Sequence, residues 1–463
     1  MRFQRRAKVG RQPARFMRLA RTAALLAGCL WAAGCATWST SFDEIERRLV
    51  QEQYTEALAA LERQGDGRRE PLLYQLNKAM TLRMAGDYQA SNAAFEAAKV
   101  LMDKYSAVSL REKTATFIIN DAAEAYAGEE HEQVLLHLYE ALNYIALGNL
   151  DDARVEALQV DLKLREQAER AGTSYVEDPF ARYLTGMIYE DRGEWSDALI
   201  AYRKSYEAYS KRREKYGVAV PQALKNDLLR LTQHLGLADE MRRYQKEFGI
   251  ARFTDQATWR TQGELVFLLH NGLAPIKREH ATTVLDPASG HWIRIAVPYY
   301  EQRFPVVRAA RVVAGPAVAD TEVVADIQAQ ALHTLEAKMP AITARALARA
   351  VVKAELARAA RAKGRGNRDD AMAAAIIGFG MEVASVLTER ADTRSWATLP
   401  HDIQIARLAL PPGSYKIRIE LLGADSASVG AIELPDVVIR PGRKTYLSRY
   451  SIASQVVTSR RMP

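Results

Sequence analysis

Cysteine is almost missing from this 463-residue chain: there are two, Cys29 and Cys35, both near the N-terminus. Beyond residue 35 no disulfide can staple the fold, no thiol can act as a nucleophile, and no cysteine-based zinc site can form. Acidic side chains are absent from residues 1–34, which carry Arg2, Arg5, Arg6, Lys8, Arg11, Arg15, Arg18 and Arg21. No apolar run reaches the length of a membrane span. The nearest, Ala371 to Leu387, is 17 residues long and contains Glu382, so it reads as a packed helix. Catalytic signatures are missing as well. There is no G-x-S-x-G elbow, and the Gly-rich string Lys363 to Asn367 lacks the G-K-S/T ending of a phosphate loop. His131 and His137 flank Glu132, but the spacing is not H-E-x-x-H, and residues six apart on a helix do not share a face. The sequence therefore predicts no catalytic residue, no metal site and no cofactor.

The formal charge of +8 belongs to the N-terminal cations. Without residues 1–34 the chain holds 56 basic and 56 acidic residues, a balance that argues against a nucleic-acid partner. Those cations precede a short apolar stretch and then Ala32-Ala33-Gly34-Cys35. The layout resembles a bacterial lipoprotein signal, with residues 1–34 removed and Cys35 acylated. Acyl chains bury CH2 groups at about 0.8 kcal/mol each, which makes such anchoring stable. Leu26-Ala27-Gly28-Cys29 is a rival lipobox, but only Thr22 to Gly28 separates it from Arg21. Met1 and Met17 both remain open as the start. Ala36, not Asp, follows Cys35. By resemblance to enterobacterial sorting, that implies the outer membrane, on its periplasmic face.

Residues 35–260 read as helical, with apolar residues recurring at three and four. Gly186-x2-Tyr189, Gly193 and Ala198-x3-Tyr202 resemble a tetratricopeptide repeat. Small residues at 186 and 198 let two antiparallel helices approach closely, and the aromatics fill the space around them. A second copy carries Ala79, Gly86 and Phe95, and a third Ala141, Gly148 and Ala157, with a weaker echo near Gly236. The irregular glycine spacing predicts an α-solenoid interrupted by extra helices, one of them near Leu110 to Tyr126. Residues 261–463 turn to short β-branched runs bounded by Gly and Pro, such as Leu265 to Leu269, Ile403 to Leu410 and Tyr415 to Leu421. Between them a helical hairpin is expected at about 320–392, its first helix near Ile342 to Lys363. The fold class predicted is α+β: an irregular TPR-like α-solenoid followed by a β-sandwich-like domain with a helical-hairpin insertion.

The order of lipobox, interrupted repeats, β-rich half, insertion and the string Ala391 to Pro400 (A-D-T-R-S-W-A-T-L-P) resembles a family of bacterial outer-membrane lipoproteins. The resemblance implies no activity; it implies a role in envelope assembly or maintenance. By the repeat resemblance, Leu76, Met80, Leu138, Leu142, Tyr183 and Met187 face a concave groove. They are apolar, where carboxylate-binding repeats carry Lys and Asn, so the groove suits a partner helix of an envelope protein. The competing reading is a groove filled by the chain's own helices. Asp392, Arg394 and Trp396 form the candidate ligand corner, read either as glycan contact or as a structural turn with Trp396 in the core. Arg345, Arg349 and Lys353 form a basic stripe that suits anionic lipid or acidic glycan, or is simply a solvated face. Residues 35–260 carry 30 basic and 37 acidic side chains, and residues 261–463 carry 26 and 19. The halves are thus of opposite charge, and they either attract one another or each face a different partner. The functional expectation is a non-catalytic protein-binding scaffold; the alternative is a glycan-binding or wall-remodelling protein using the β-rich half.

Overall fold

The computed structural model describes residues 42–63, 70–109, 125–171, 178–286, 291–362 and 389–456. Cys29, Cys35, the helix expected at 110–126 except its last two residues, the loop at 363–367 and the apolar run at 371–387 lie outside the described residues. No helix among the described residues is long and apolar enough to cross a membrane.

The helical half begins with α1 (Asp43–Val50) and α2 (Tyr54–Arg63). Four antiparallel hairpins follow. They pair α3 (Pro71–Met84) with α4 (Tyr88–Ser109), α5 (Glu130–Ala146) with α6 (Leu150–Ala171), α7 (Pro179–Asp191) with α8 (Trp195–Tyr216), and α9 (Gln222–His234) with α10 (Ala238–Phe248). The short α11 (Gln256–Thr261) closes this half. One turn recurs in all four hairpins. The amide following the turn glycine reaches back to a carbonyl of the last helical turn: Asp87 to Leu82, Asn149 to Tyr144, Glu194 to Tyr189 and Leu237 to Thr232, at 2.8–3.0 Å. The glycine takes the left-handed conformation, as at Gly193 with φ of 77°, where a side chain would be strained. The TPR-like reading of the helical half therefore holds, and the echo at Gly236 is a full hairpin.

The C-terminal half holds two four-stranded sheets. The first runs β11 (Lys444–Ser451), β1 (Gly263–Asn271), β8 (Asp402–Leu410), β7 (Glu322–Asp326). The second runs β10 (Ser428–Ile439), β9 (Gly413–Leu422), β5 (Ala309–Ala314), β6 (Ala317–Asp320). β2 (Ile276–Asp286) and β3 (His291–Glu301) form a separate hairpin, and β4 (Arg303–Pro305) pairs with β12 (Ser454–Val456). β1 is antiparallel to β8 and parallel to β11.

Alternation along β1 explains the architecture. Leu265, Phe267 and Leu269 pack with Ile417, Ile419 and Val312 of the second sheet. Val266 and Leu268 point the other way and share a core with the helical half. The first sheet is thus covered on both faces, giving three layers: helices, sheet, sheet.

Two boundaries differ from the sequence reading. The insertion helix α12 spans Ile327–Ala362, so it starts fifteen residues before Ile342 and runs through Pro340. Proline can sit inside a long helix that tolerates the loss of one backbone hydrogen bond. β7 lies in the stretch first given to the insertion, and it completes the central sheet beside β8. The basic stripe on α12 is not a free patch. Arg349 is buried and bonds Glu389 at 2.9 Å, and Lys353 bonds the same carboxylate at 2.8 Å.

Candidate functional site

The six groove positions sit on the inner helices α3, α5 and α7, as the repeat geometry demands, yet none is open. Leu76, Met80, Leu138, Leu142, Tyr183 and Met187 are 0–3 % exposed. They belong to one core with Val266, Leu268, Ile403, Ile405, Trp396 and Leu399. The groove is filled by the chain's own central sheet rather than by a second polypeptide or by further helices. Burying four aliphatic strand side chains there contributes on the order of 10 kcal/mol, which any competing peptide would have to displace.

Polar groups lock the seam. His270 of β1 shares hydrogen bonds with the Tyr139 hydroxyl through Nδ1 at 3.2 Å and with the Ser448 hydroxyl through Nε2 at 2.9 Å, one ring nitrogen donating and the other accepting. Arg407 of β8 bonds Glu264 at 2.7 and 2.8 Å and reaches across to Asp227 and the Tyr183 hydroxyl. Lys444 bonds Asp191 at 2.8 Å, Lys277 bonds Glu129 at 2.5 Å, and Lys338 bonds Glu129 and Glu130 at 2.7 and 2.6 Å. In each of these ion pairs the cation comes from the C-terminal half and the carboxylate from the helical half, Glu264 excepted. The opposite charges of the two halves are spent on each other.

The candidate corner is part of this seam. Asp392 accepts the Arg394 amide at 3.0 Å and its guanidinium at 2.9 Å, and Arg394 reaches Glu70 at 3.3 Å while lying over the Tyr126 ring. Trp396 is 1 % exposed, meets Phe95 and Tyr139 edge-on, and donates its indole N–H to Thr398 at 2.9 Å. Its amide donates to Glu132 Oε1 at 2.7 Å, and the Thr398 amide donates to Asn77 at 3.2 Å. The string is a wedge that fastens the sheet to α3 and α5. Its polar groups are committed to protein partners, as in the structural reading of the corner.

Glu132, passed over in the sequence, is the unusual group here. It is buried, and burial together with the nearby Glu129 charge pushes its carboxyl up to about 7, against the bonds it accepts from Tyr126, Trp396 and Glu129. Glu129 moves the other way. Burial raises it, but Lys277 and Lys338 more than offset that and hold it below the ordinary carboxylate range. Burial lowers His131 to about 4, despite the nearby Glu129 and Glu130 charges. The available clue was local: Glu129 and Glu132 form a reciprocal capping box at the start of α5.

A cavity of about 430 Å³ opens at the seam between α9 and the central sheet, lined by Asp227, Arg230, Trp259, Glu264, Glu322 and Arg407. Arg230 lies 4.8 Å over Trp259 and bonds Asp227 and Glu190 at 2.7 Å. The aromatic face and the charged walls are thus already engaged with protein groups.

The outer helices are different. Lys99 bonds Glu156 at 3.0 Å and Lys163 meets Asp103 at 3.6 Å, which sets α4 beside α6. Arg154 bonds Glu194 at 2.8 Å and Lys204 bonds Asp161 at 3.1 Å, which sets α8 on the other side of α6. Across these three helices Val100, Val155, Leu158, Leu162 and Ile200 are 43–69 % exposed. Val155, Leu158 and Leu162 are spaced three and four apart and share one face of α6. These apolar side chains face solvent on the outer helices, where the sequence reading had placed the contact surface in the groove.

No family model matches the chain, and no curated protein matches it. Among solved structures it is similar to a Podosopora anserina protein described as "putative kinesin light chain nearly identical TPR-like repeats" and to its Q17M form. Identity is 18 % in both; the matches cover 45 and 44 % of this chain and 95 and 89 % of theirs, with TM-scores of 0.27 and 0.29 respectively. The four hairpins described above carry the repeat assignment by themselves.

Proposed function

We propose that the chain is a non-catalytic protein-binding scaffold of the bacterial cell envelope, held on the periplasmic face of the outer membrane by acyl chains on Cys35. The anchor rests on the cationic n-region, the short apolar stretch and the Ala-Gly-Cys sequence. The scaffold role rests on one observation: the exposed apolar ridge of Val100, Val155, Leu158, Leu162 and Ile200 on helices whose inner faces are already filled. Clustered exposed aliphatics of this kind mark contact surfaces more often than chance exposure does. The partner that fits is an envelope protein presenting the apolar face of a helix, which packs along the α6 stripe at i, i+3 and i+7.

The test is a photo-crosslinking residue placed at Leu158 in living cells, with a second at Met80 as the control. A discrete protein adduct at position 158, absent at position 80 and lost in Leu162→Glu, supports the reading. No adduct at 158, or equal adducts at both positions, overturns it. Fatty-acid labelling tests the anchor separately: label should depend on Cys35 and vanish in Cys35→Ala. Label that persists there and needs Cys29 would move the attachment site.

A further inference from the structure

His137 and Glu140 are three residues apart on α5 and share a face. That face turns to α6, where Glu156 stands opposite. His137 Nδ1 lies 2.7 Å from Glu156 Oε2, and one donor atom from each of the three residues lies within 4.8 Å of the others. The residues are 4 %, 0 % and 4 % exposed. Glu140 Oε1 has no partner, and Oε2 meets Lys99 Nζ at 2.9 Å. A fully buried carboxylate left in that state is costly, and such an orphan calls for an explanation. Lys99 also contacts Glu156 at 3.0 Å and the exposed Glu96 at 2.9 Å.

We propose that His137, Glu140 and Glu156 form a binding site for a divalent first-row transition-metal cation such as Zn2+, with Lys99 as the counter-charge that withdraws to Glu96 when the cation enters. One imidazole and two carboxylates are a donor set that such cations accept, at about 2.0–2.2 Å from each donor. Shifts of about an ångström bring the three donors onto a sphere of that radius. The charge supports the assignment. A dication with two carboxylates and a neutral imidazole sums to zero, whereas one ammonium leaves a buried negative charge unmatched. Burial and the Glu156 charge accordingly push the Glu140 carboxyl up to about 8. Glu156 goes below its ordinary value: burial raises it, and His137 and Lys99 more than offset that. Lys99 has somewhere to go, because Glu96 lies on its own helix on the solvent side and is already in contact with it. Its ligands would tie α5 to α6.

The experiment uses the full chain without a histidine tag, stripped of metal. Zn2+ is titrated calorimetrically, and Co2+ is followed by its ligand-field absorption. The expected result is saturable one-to-one binding that tightens with pH as the ligands lose protons. His137→Ala and Glu140→Gln should bind about tenfold more weakly or worse, and Lys99→Met more tightly. Glu140→Gln is nearly isosteric and keeps an oxygen that can face Lys99, so circular dichroism should show it folded. Absence of binding in both the wild type and Lys99→Met overturns the proposal. So does affinity unchanged in His137→Ala and Glu140→Gln.

Discussion

Glu132 shows how much a single side chain can hide from the sequence. Three groups donate to it: the Tyr126 hydroxyl at 2.5 Å, the Trp396 amide at 2.7 Å and the Glu129 amide at 3.1 Å. Two of them are close in sequence, and the third is 264 residues away. With its folded value near 7 against an ordinary 4.5, the folded chain keeps a proton that the unfolded chain releases between those values. Stability from this group therefore falls as pH rises from about 4.5 to 7, by about 3 kcal/mol in all. His131 acts oppositely. Lowered to about 4 by burial, it makes stability fall as pH drops through the window from 6.5 to 4. Lys277, Lys338, Tyr300, Asp392 and Arg394 surround the cluster and keep their charge states across this range. The contributions of Glu132 and His131 therefore nearly cancel between pH 4.5 and 6.5. Glu132→Gln loses the ionisation, so its stability should rise with pH there relative to the wild type, measured by urea unfolding at stepped pH. Parallel profiles for the two proteins would show that Glu132 is ionised in the fold. Other residues were legible from the start. Gly186 was read as a point of close helix approach, and a Cβ there would stand 2.4 Å from the Tyr202 ring.

Elements were legible where one physical rule dominates. β1, β8 and β9 are apolar runs between turn residues, and the four turn glycines mark the hairpins. β2 was missed because its sequence, Ile-Lys-Arg-Glu-His-Ala-Thr-Thr, is mostly polar and pairs only with β3, outside both sheets. β10 carries no continuous alternation to read, because Pro435 and Asp436 interrupt it at a register shift between Leu434 and Val437. The insertion helix was misread as presenting free cations, because nothing in its own sequence announces Glu389. The ion pair between Arg349 and Glu389, 1 % and 2 % exposed, ties α12 to the chain returning toward the corner. Arg349→Met should therefore cost about 3 kcal/mol, since it leaves a buried carboxylate with Lys353 as its remaining cation. Adding Glu389→Gln should recover most of that loss, because the stranded charge disappears. Thermal unfolding of the two variants checks this. A double variant no more stable than Arg349→Met would mean that the arginine acts through packing alone.

At the scale of the molecule, a TPR-like solenoid and a β-sandwich were visible as two halves, but their union was not. The sequence showed opposite net charges and an apolar groove, which left open whether the halves meet each other or separate partners. That information lies in pairings such as Val266 with the helical core and Lys444 with Asp191, which no local pattern encodes. The consequence is thermodynamic. The core that contains Met80 and Tyr183 also contains Ile403 and Ile405, so neither half can unfold without exposing the interior of the other. Residues 35–456 should therefore unfold in one cooperative transition, with calorimetric and van't Hoff enthalpies equal. Raising the salt concentration should shift the midpoint little, because the seam's ion pairs are buried from screening. Residues 35–260 produced alone should keep helical circular dichroism but bind a hydrophobic dye strongly, since the face that the sheet covers becomes solvent-exposed. Adding residues 261–456 in trans should quench that dye and restore a sharp transition. Two separate transitions in the intact chain, or a dye-silent helical half, would mean that the two halves fold independently and that the sheet is not what keeps the groove-facing residues from solvent.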